Sequence, residues 1–176
     1  MSSFPQRLYG ALTLQAKTFE EVEHDSRATP QAAAVVLLAA VSTGASVVGL
    51  FGLRGMIRQT LIAVVAWAVS AAVIWVIGTK ILPGRRTEGG VGQLLRTLGF
   101  AHAPIVCSVL VAVPLVGWIV RLVLWPWALL AIVVAVRQAL DYEETLRALL
   151  VCLIAWAAWM AVSMAGALVG LGPAVR

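Results

Sequence analysis

The sequence predicts an all-α integral membrane protein: one domain, built as a bundle of five transmembrane helices behind a short amphipathic N-terminal segment. Three observations predict it. The 176-residue chain is 61% hydrophobic, with a mean hydropathy of +0.96. Its apolar residues gather into five long runs, and a run of about 18 residues or more can cross the ~30 Å hydrocarbon core as a helix. A soluble chain of this length would leave most of that apolar surface in water. Finally, the runs are separated by short basic or mixed-charge segments, and among the Asp, Glu, Lys and Arg side chains only Arg121 lies within a run away from its outermost two or three residues.

The first 30 residues form a polar segment with a pattern of its own. Phe4, Leu8, Leu12, Ala16, Phe19 and Val22 recur at helical spacing and make one apolar stripe. Thr18-Phe19-Glu20-Glu21 has capping-box spacing, which predicts a break near Thr18. Glu20, Glu21, Glu23 and Asp25 would repel an anionic leaflet. That favours a helix packed on the end of the bundle over one lying on the membrane. No cleavable signal peptide is expected, so the first span would serve as the insertion signal.

The spans, with the membrane domain covering residues 31–172, are expected at 32–53, 61–82, 98–116, 118–136 and 146–171. Thr29 as N-cap and Pro30 at the first helical position open the first. The second passes Trp67 and Trp75 and stops at Lys80 and Pro83. Spans three and four share the 40 residues between Arg96 and Arg137, with Pro114-Leu115-Val116-Gly117 as the available turn. A single unbroken crossing of that length would measure ~60 Å and is excluded. A turn stopping short of the far side would instead make a re-entrant hairpin and leave three full crossings; five are favoured. Asp141-Tyr142-Glu143-Glu144 offers capping-box spacing ahead of the fifth span.

Charge between the spans sets the expected orientation. Nine basic residues fall on one side (Arg7, Lys17, Arg27, Lys80, Arg85, Arg86, Arg96, Arg137 and Arg147) and four on the other (Arg54, Arg58, Arg121 and Arg176). The N-terminus is therefore expected in the cytoplasm and the C-terminus outside. The net charge of +5 reads as this topology signal rather than as a nucleic-acid footprint, because no dense basic run with interleaved aromatics exists. Arg85 and Arg86, in the Gly-rich stretch 83–92, are the residues expected to meet anionic lipid head groups.

Catalysis at membrane depth needs acids, nucleophiles or metal ligands there, and the eight acidic residues all lie outside the spans. Cys107 and Cys152 fall inside spans without metal or disulfide spacing and are expected as buried small hydrophobes. No cofactor is implied. His102 stands alone near the start of the third span and reads as a hydrogen-bonded interface residue. Arg121 reads as an interfacial anchor that snorkels, with the Trp125 ring one turn away for a cation–π contact. Both remain candidate pathway residues should the chain be a subunit of a homo-oligomeric channel or transporter. Gly166 and Gly170 form a GxxxG pair in the last span, a candidate packing or oligomer interface, and Ala45 with Gly49 repeats the spacing in the first. Arg137–Asp141 and Glu143–Arg147 are at i,i+4 spacing at helix ends.

From about Phe19 to Val162 the order of features resembles the Yip domain family, membrane proteins named for interaction with Ypt/Rab GTPases, and in particular its bacterial branch. The pieces are Thr18-Phe19-Glu20-Glu21 leading to Asp25; Leu95-Arg96-Thr97-Leu98-Gly99-Phe100 followed by Pro104; Pro114-Leu115-Val116-Gly117; Trp125-Pro126-Trp127; and Val136-Arg137-Gln138-Ala139-Leu140 followed by Arg147-Ala148-Leu149. Gly99, Phe100 and Pro104 are similar to the family's Gly-Tyr…Pro element, with Phe for Tyr. The resemblance implies five spans, an inside N-terminus, an outside C-terminus and a non-enzymatic scaffolding or assembly role with a membrane-protein partner. Eukaryotic members carry Asp-Leu-Tyr-Gly-Pro before the first span; here only Leu8-Tyr9-Gly10 stands, which speaks against a Rab-type GTPase as partner.

Overall fold

A computed structural model describes the backbone of residues 2–168 except 47, 85, 86, 88 and 114, with side chains over the same range except 46, 48–51, 159 and 161–168. Among the described residues every regular element is helical. Seven α-helices follow in order: α1 (Phe4–Leu12), α2 (Ala16–His24), α3 (Thr29–Ser46), α4 (Val48–Val76), α5 (Val91–Ala101), α6 (Gly117–Ala139) and α7 (Thr145–Leu168). Three tighter or wider pieces join them: a 3₁₀ turn at Ser26–Ala28, a π-helical turn at Ile77–Ile81 and a 3₁₀ stretch at Ala103–Ala112.

Four stretches are long and apolar enough to cross a membrane: Ser26–Ala45, Gly52–Ile81, Val91–Ala112 and Gly117–Ala139. Thr145–Ala158 adds a shorter apolar helix. Outward-facing Leu37, Leu61, Val65, Trp118, Leu122, Trp125 and Leu153 are all well exposed, as a lipid-facing surface requires. The buried core runs instead through Val35, Trp67, Ile74, Leu94, Phe100, Val136 and Val151, one or two from each long helix.

Several boundaries differ from expectation. The first turn lies earlier than residues 54–60, which are helical. Gly52, at φ 63°, supplies the break inside α4, a left-handed backbone that glycine adopts at no steric cost. Arg54 and Arg58 therefore sit exposed on the first turns of a helix rather than in a loop. The third segment begins at Val91, not Leu98, because its polar residues Gln93 and Arg96 are satisfied by α2. It does not continue as an α-helix: Pro104 has no N–H to give, and the chain tightens to 3₁₀ from Ala103. The turn before α6 falls where expected, with Leu115 at φ 69°; Pro114 lies outside the described residues. Helix α7 begins at Thr145, and the expected end at Leu171 lies outside them as well.

Three capping expectations are corrected. The N-terminal break lies at residues 13–15, with Leu14 at φ 57°, and Thr18 sits inside α2. Entry to α3 is set by Asp25, whose carboxylate accepts from the Arg27 amide; Thr29 is already helical. Asp141, at φ 49°, shapes the α6–α7 turn and not the first turn of α7. Arg137 and Arg147 direct their guanidinium groups at carbonyls: Arg137 to Tyr142 and Glu143, Arg147 to Pro83.

Candidate functional site

The densest polar structure is where the N-terminal segment meets the bundle. Helices α1 and α2 fold back on each other, with Gly10 against Thr18, and α2 packs along α5 and α6. The stripe of apolar residues explains the placement: Ala11, Phe19 and Val22 are fully buried, while Phe4, Leu8 and Leu12 pack against the core. The Phe4 and Phe100 rings meet at 6.4 Å between centroids. Near the hairpin's turn, Trp127 of α6 donates its indole N–H to the Leu12 carbonyl.

Arg7 is the electrostatic centre of the hairpin, although only 2% of its side chain is exposed. Nη2 lies 2.9 Å from Glu21 Oε1 and 2.7 Å from Asp25 Oδ2, and Nη1 donates to Gln31 of α3. Desolvation works against the Arg7 charge, but its bonds to Asp25 and Glu21 outweigh it and raise the guanidinium above its ordinary value. The Ser2 hydroxyl and amide also donate to the Glu21 carboxylate; with Arg7 they hold it down to about 2. Hydrogen bonding to Arg7 likewise lowers Asp25.

Beside this network lies a carboxyl of opposite character. Glu23 is 1% exposed and accepts from Gln93 Nε2 at 2.8 Å. Gln93 is itself anchored, its Oε1 accepting the Gly90 amide at the start of α5. Arg96 ignores the Glu23 carboxylate and donates to the Val22 and Glu23 carbonyls, capping the open C-terminal end of α2. Burial, reinforced by the Asp141 charge, pushes Glu23 up to about 7.

Deeper in the bundle, α3 and the 3₁₀ stretch share a hydroxyl cluster. Ser42 Oγ donates to the Val106 carbonyl at 2.6 Å and accepts the Val109 amide at 2.9 Å, bridging a pair that the 3₁₀ pattern itself would join. Ser108 adds contacts to Ser42 and Thr43. Indoles and a phenol do similar work elsewhere: Trp67 donates to Leu95 O and Trp75 to Gly89 O. The Tyr142 hydroxyl shares its one proton between Gly78 O of the π-helical turn and Leu82 O just after it.

A family model described as the Yip1 domain matches residues 9–167. The chain belongs to the Yip1 domain family. Neither a curated protein nor a solved structure matches it. The Yip1 match begins within α1, taking in its last four residues, Tyr9 to Leu12, and the whole of α2.

Within this Yip1 domain the Gly-Phe…Pro element is a packing junction. Gly99 touches Ala32, Phe100 is fully buried under Phe4, and Pro104 is buried at the head of the 3₁₀ stretch. His102 joins them: its Nδ1 meets the Leu98 carbonyl at 2.7 Å, which requires the proton on Nδ1. Arg121 stands apart, exposed on α6 beside exposed Trp125, and the cation–π contact found pairs Lys80 with Trp75 at 5.9 Å. Gly166 is helical backbone in α7; Gly170, Arg85 and Arg86 lie outside the described residues. Cys107 and Cys152 are free thiols, the second buried. Among the described residues no three His, Cys, Asp or Glu side chains converge as metal ligands. Arg7, Glu23 and Ser42 were missed as site residues because each depends on a partner remote in sequence.

Proposed function

We propose that this Yip1 domain is a non-enzymatic scaffold of the bacterial cytoplasmic membrane, crossing it five times with its N-terminus inside, on which another membrane protein assembles. The observation that carries the reading is where the polar groups at span depth spend their hydrogen bonds. Ser42, Thr43 and His102 bond to the chain's own backbone carbonyls, Ser108 to Ser42 and Thr43, and so stiffen the bundle. Use of that kind suits a rigid assembly platform better than a solvated path. The bias of basic residues toward the side of Arg7, Arg96, Arg137 and Arg147 supports the orientation. The bare Leu8-Tyr9-Gly10 supports a partner other than a Rab-type GTPase, and a place in the family's bacterial branch.

Single-cysteine labelling in intact cells tests the topology: positions 2 and 87 should be protected and 175 reachable, whereas 87 and 175 on one side would refute five crossings. For the role, a photo-crosslinker at Tyr9, exposed on the hairpin, should give one discrete adduct with a membrane protein. The reconstituted protein should carry no ion or proton flux. A flux lost in Arg121→Ala, with no adduct, would overturn the scaffold reading.

A further inference from the structure

Glu23 is a carboxyl in the wrong surroundings for a charge. It is 1% exposed, between α2 and α5, while the neighbouring Glu21 and Asp25 hold both salt bridges of Arg7. Among the described residues no salt bridge reaches it; its hydrogen-bond partner is the neutral amide of Gln93. The charged groups acting on it are His24 and Glu20 of its own helix, Arg96 of α5 and Asp141 of the α6–α7 loop. Arg96 is spent on backbone carbonyls, and Asp141 repels. Glu23 also stands on the helix that seats the hairpin, since Val22 beside it is fully buried and Trp127 and Phe100 hold α1.

We propose that Glu23 is a proton-operated latch for the N-terminal hairpin: the seated α1–α2 pair holds its carboxyl protonated, and ionisation loosens α2 from α5 and α6. A carboxylate buried there has one neutral amide donor and lacks the compensation that Arg7 gives Glu21, so burial favours the protonated form. Lifting α2 would return Glu23 to water, where an ordinary carboxyl ionises near 4.5. Seating therefore takes up a proton from the solvent and unseating gives it back. The sign is fixed: the Glu23 contribution to seating is complete below about 4.5 and is lost as pH rises through about 7. The hairpin thus reports the pH of the compartment it faces, and it changes the surface offered to a partner.

The test is hydrogen exchange of the α2 amides in the full-length protein in lipid nanodiscs, corrected for intrinsic rates at each pH. Protection should fall about thirtyfold between about pH 5.5 and about pH 8.5, the linkage expected for a group moving from about 7 seated to about 4.5 free. Glu23→Gln should hold that change below about threefold and keep α2 protected at the alkaline end. Asp141→Asn keeps Glu23 and removes the repelling charge, so the transition should move to lower pH; this arm stands even if Glu23→Gln folds poorly. His24→Asn should leave the fall in place. A wild-type change below about threefold, an unchanged fall in Glu23→Gln, an unmoved transition in Asp141→Asn, or its loss in His24→Asn would each overturn the latch.

Discussion

Gly99 of α5 faces Ala32 of α3 with no room between them: a Cβ on Gly99 would lie 2.6 Å from the Ala32 Cβ and 3.0 Å from the Ala32 carbonyl oxygen. The close approach fixes how α5 leans on α3 just before the chain tightens at Pro104. Gly99→Ala should therefore force the two backbones apart and cost about 1–3 kcal/mol. Gly92 on the same helix is exposed, its nearest neighbour the flexible end of Arg96 at 3.5 Å. Gly92→Ala should be neutral or gain up to about 1 kcal/mol from helix propensity. Thermal unfolding of the two variants in detergent distinguishes packing from propensity.

Arg7 gives a second prediction. Removing it leaves the partly exposed Glu21 and Asp25 carboxylates side by side without their shared cation, so Arg7→Ala should destabilise the docked hairpin. Arg7→Lys should recover little of this, because one ammonium cannot reach Glu21, Asp25 and Gln31 together. If the loss comes from the network, it should shrink in a Glu21→Gln background; a double-mutant cycle measured by denaturation reads that coupling.

The two carboxyls of the hairpin should bracket its stability in pH. Glu21 is held down to about 2, so its contribution is present above its ordinary 4.5 and disappears as pH falls through about 2. Glu23 works in the opposite sense at the alkaline end. Thermal stability of the hairpin should peak near pH 4.5 to 5 and decline on both sides. In Glu21→Gln the acid limb should flatten while the alkaline limb stays, a contrast that a pH series of melting temperatures would check.

Ser42 yields a fourth. Ser42→Ala leaves the Val106 carbonyl and the Val109 amide without its hydroxyl, at a depth where no water replaces it. The cost should be about 1–3 kcal/mol, with exchange rising selectively at Val109.

What the chain revealed in advance was what depends on neighbours in sequence. The apolar runs, the stop near Lys80 and Pro83, and the turn before Trp118 are local signals and stand close to where they were read. The hydrophobic stripe from Phe4 to Val22 likewise foretold a helical segment packed on the bundle, though not that it folds back as a hairpin. The first turn was misplaced because Gly44, Gly49, Gly52 and Gly55 offer equal local freedom, and only the packing of Gly44 on Met56 selects where the chain reverses. Charges misled for the same reason. Arg7 and Arg96 counted as topology signals, yet each is consumed by a partner 14 to 74 residues away. The 3₁₀ stretch had a cue in Pro104, but the hydroxyl that sustains it comes from Ser42, some 64 residues earlier.

The Ser42 bridge has a bearing on how the chain enters its membrane. Residues Ala103–Ala112 form a 3₁₀ segment tied at Val106 and Val109 to a hydroxyl of another helix, so it suits hydrocarbon better with that helix beside it. Holding α3 close until this segment emerges would therefore ease its insertion, which gives the order of synthesis a bearing on assembly.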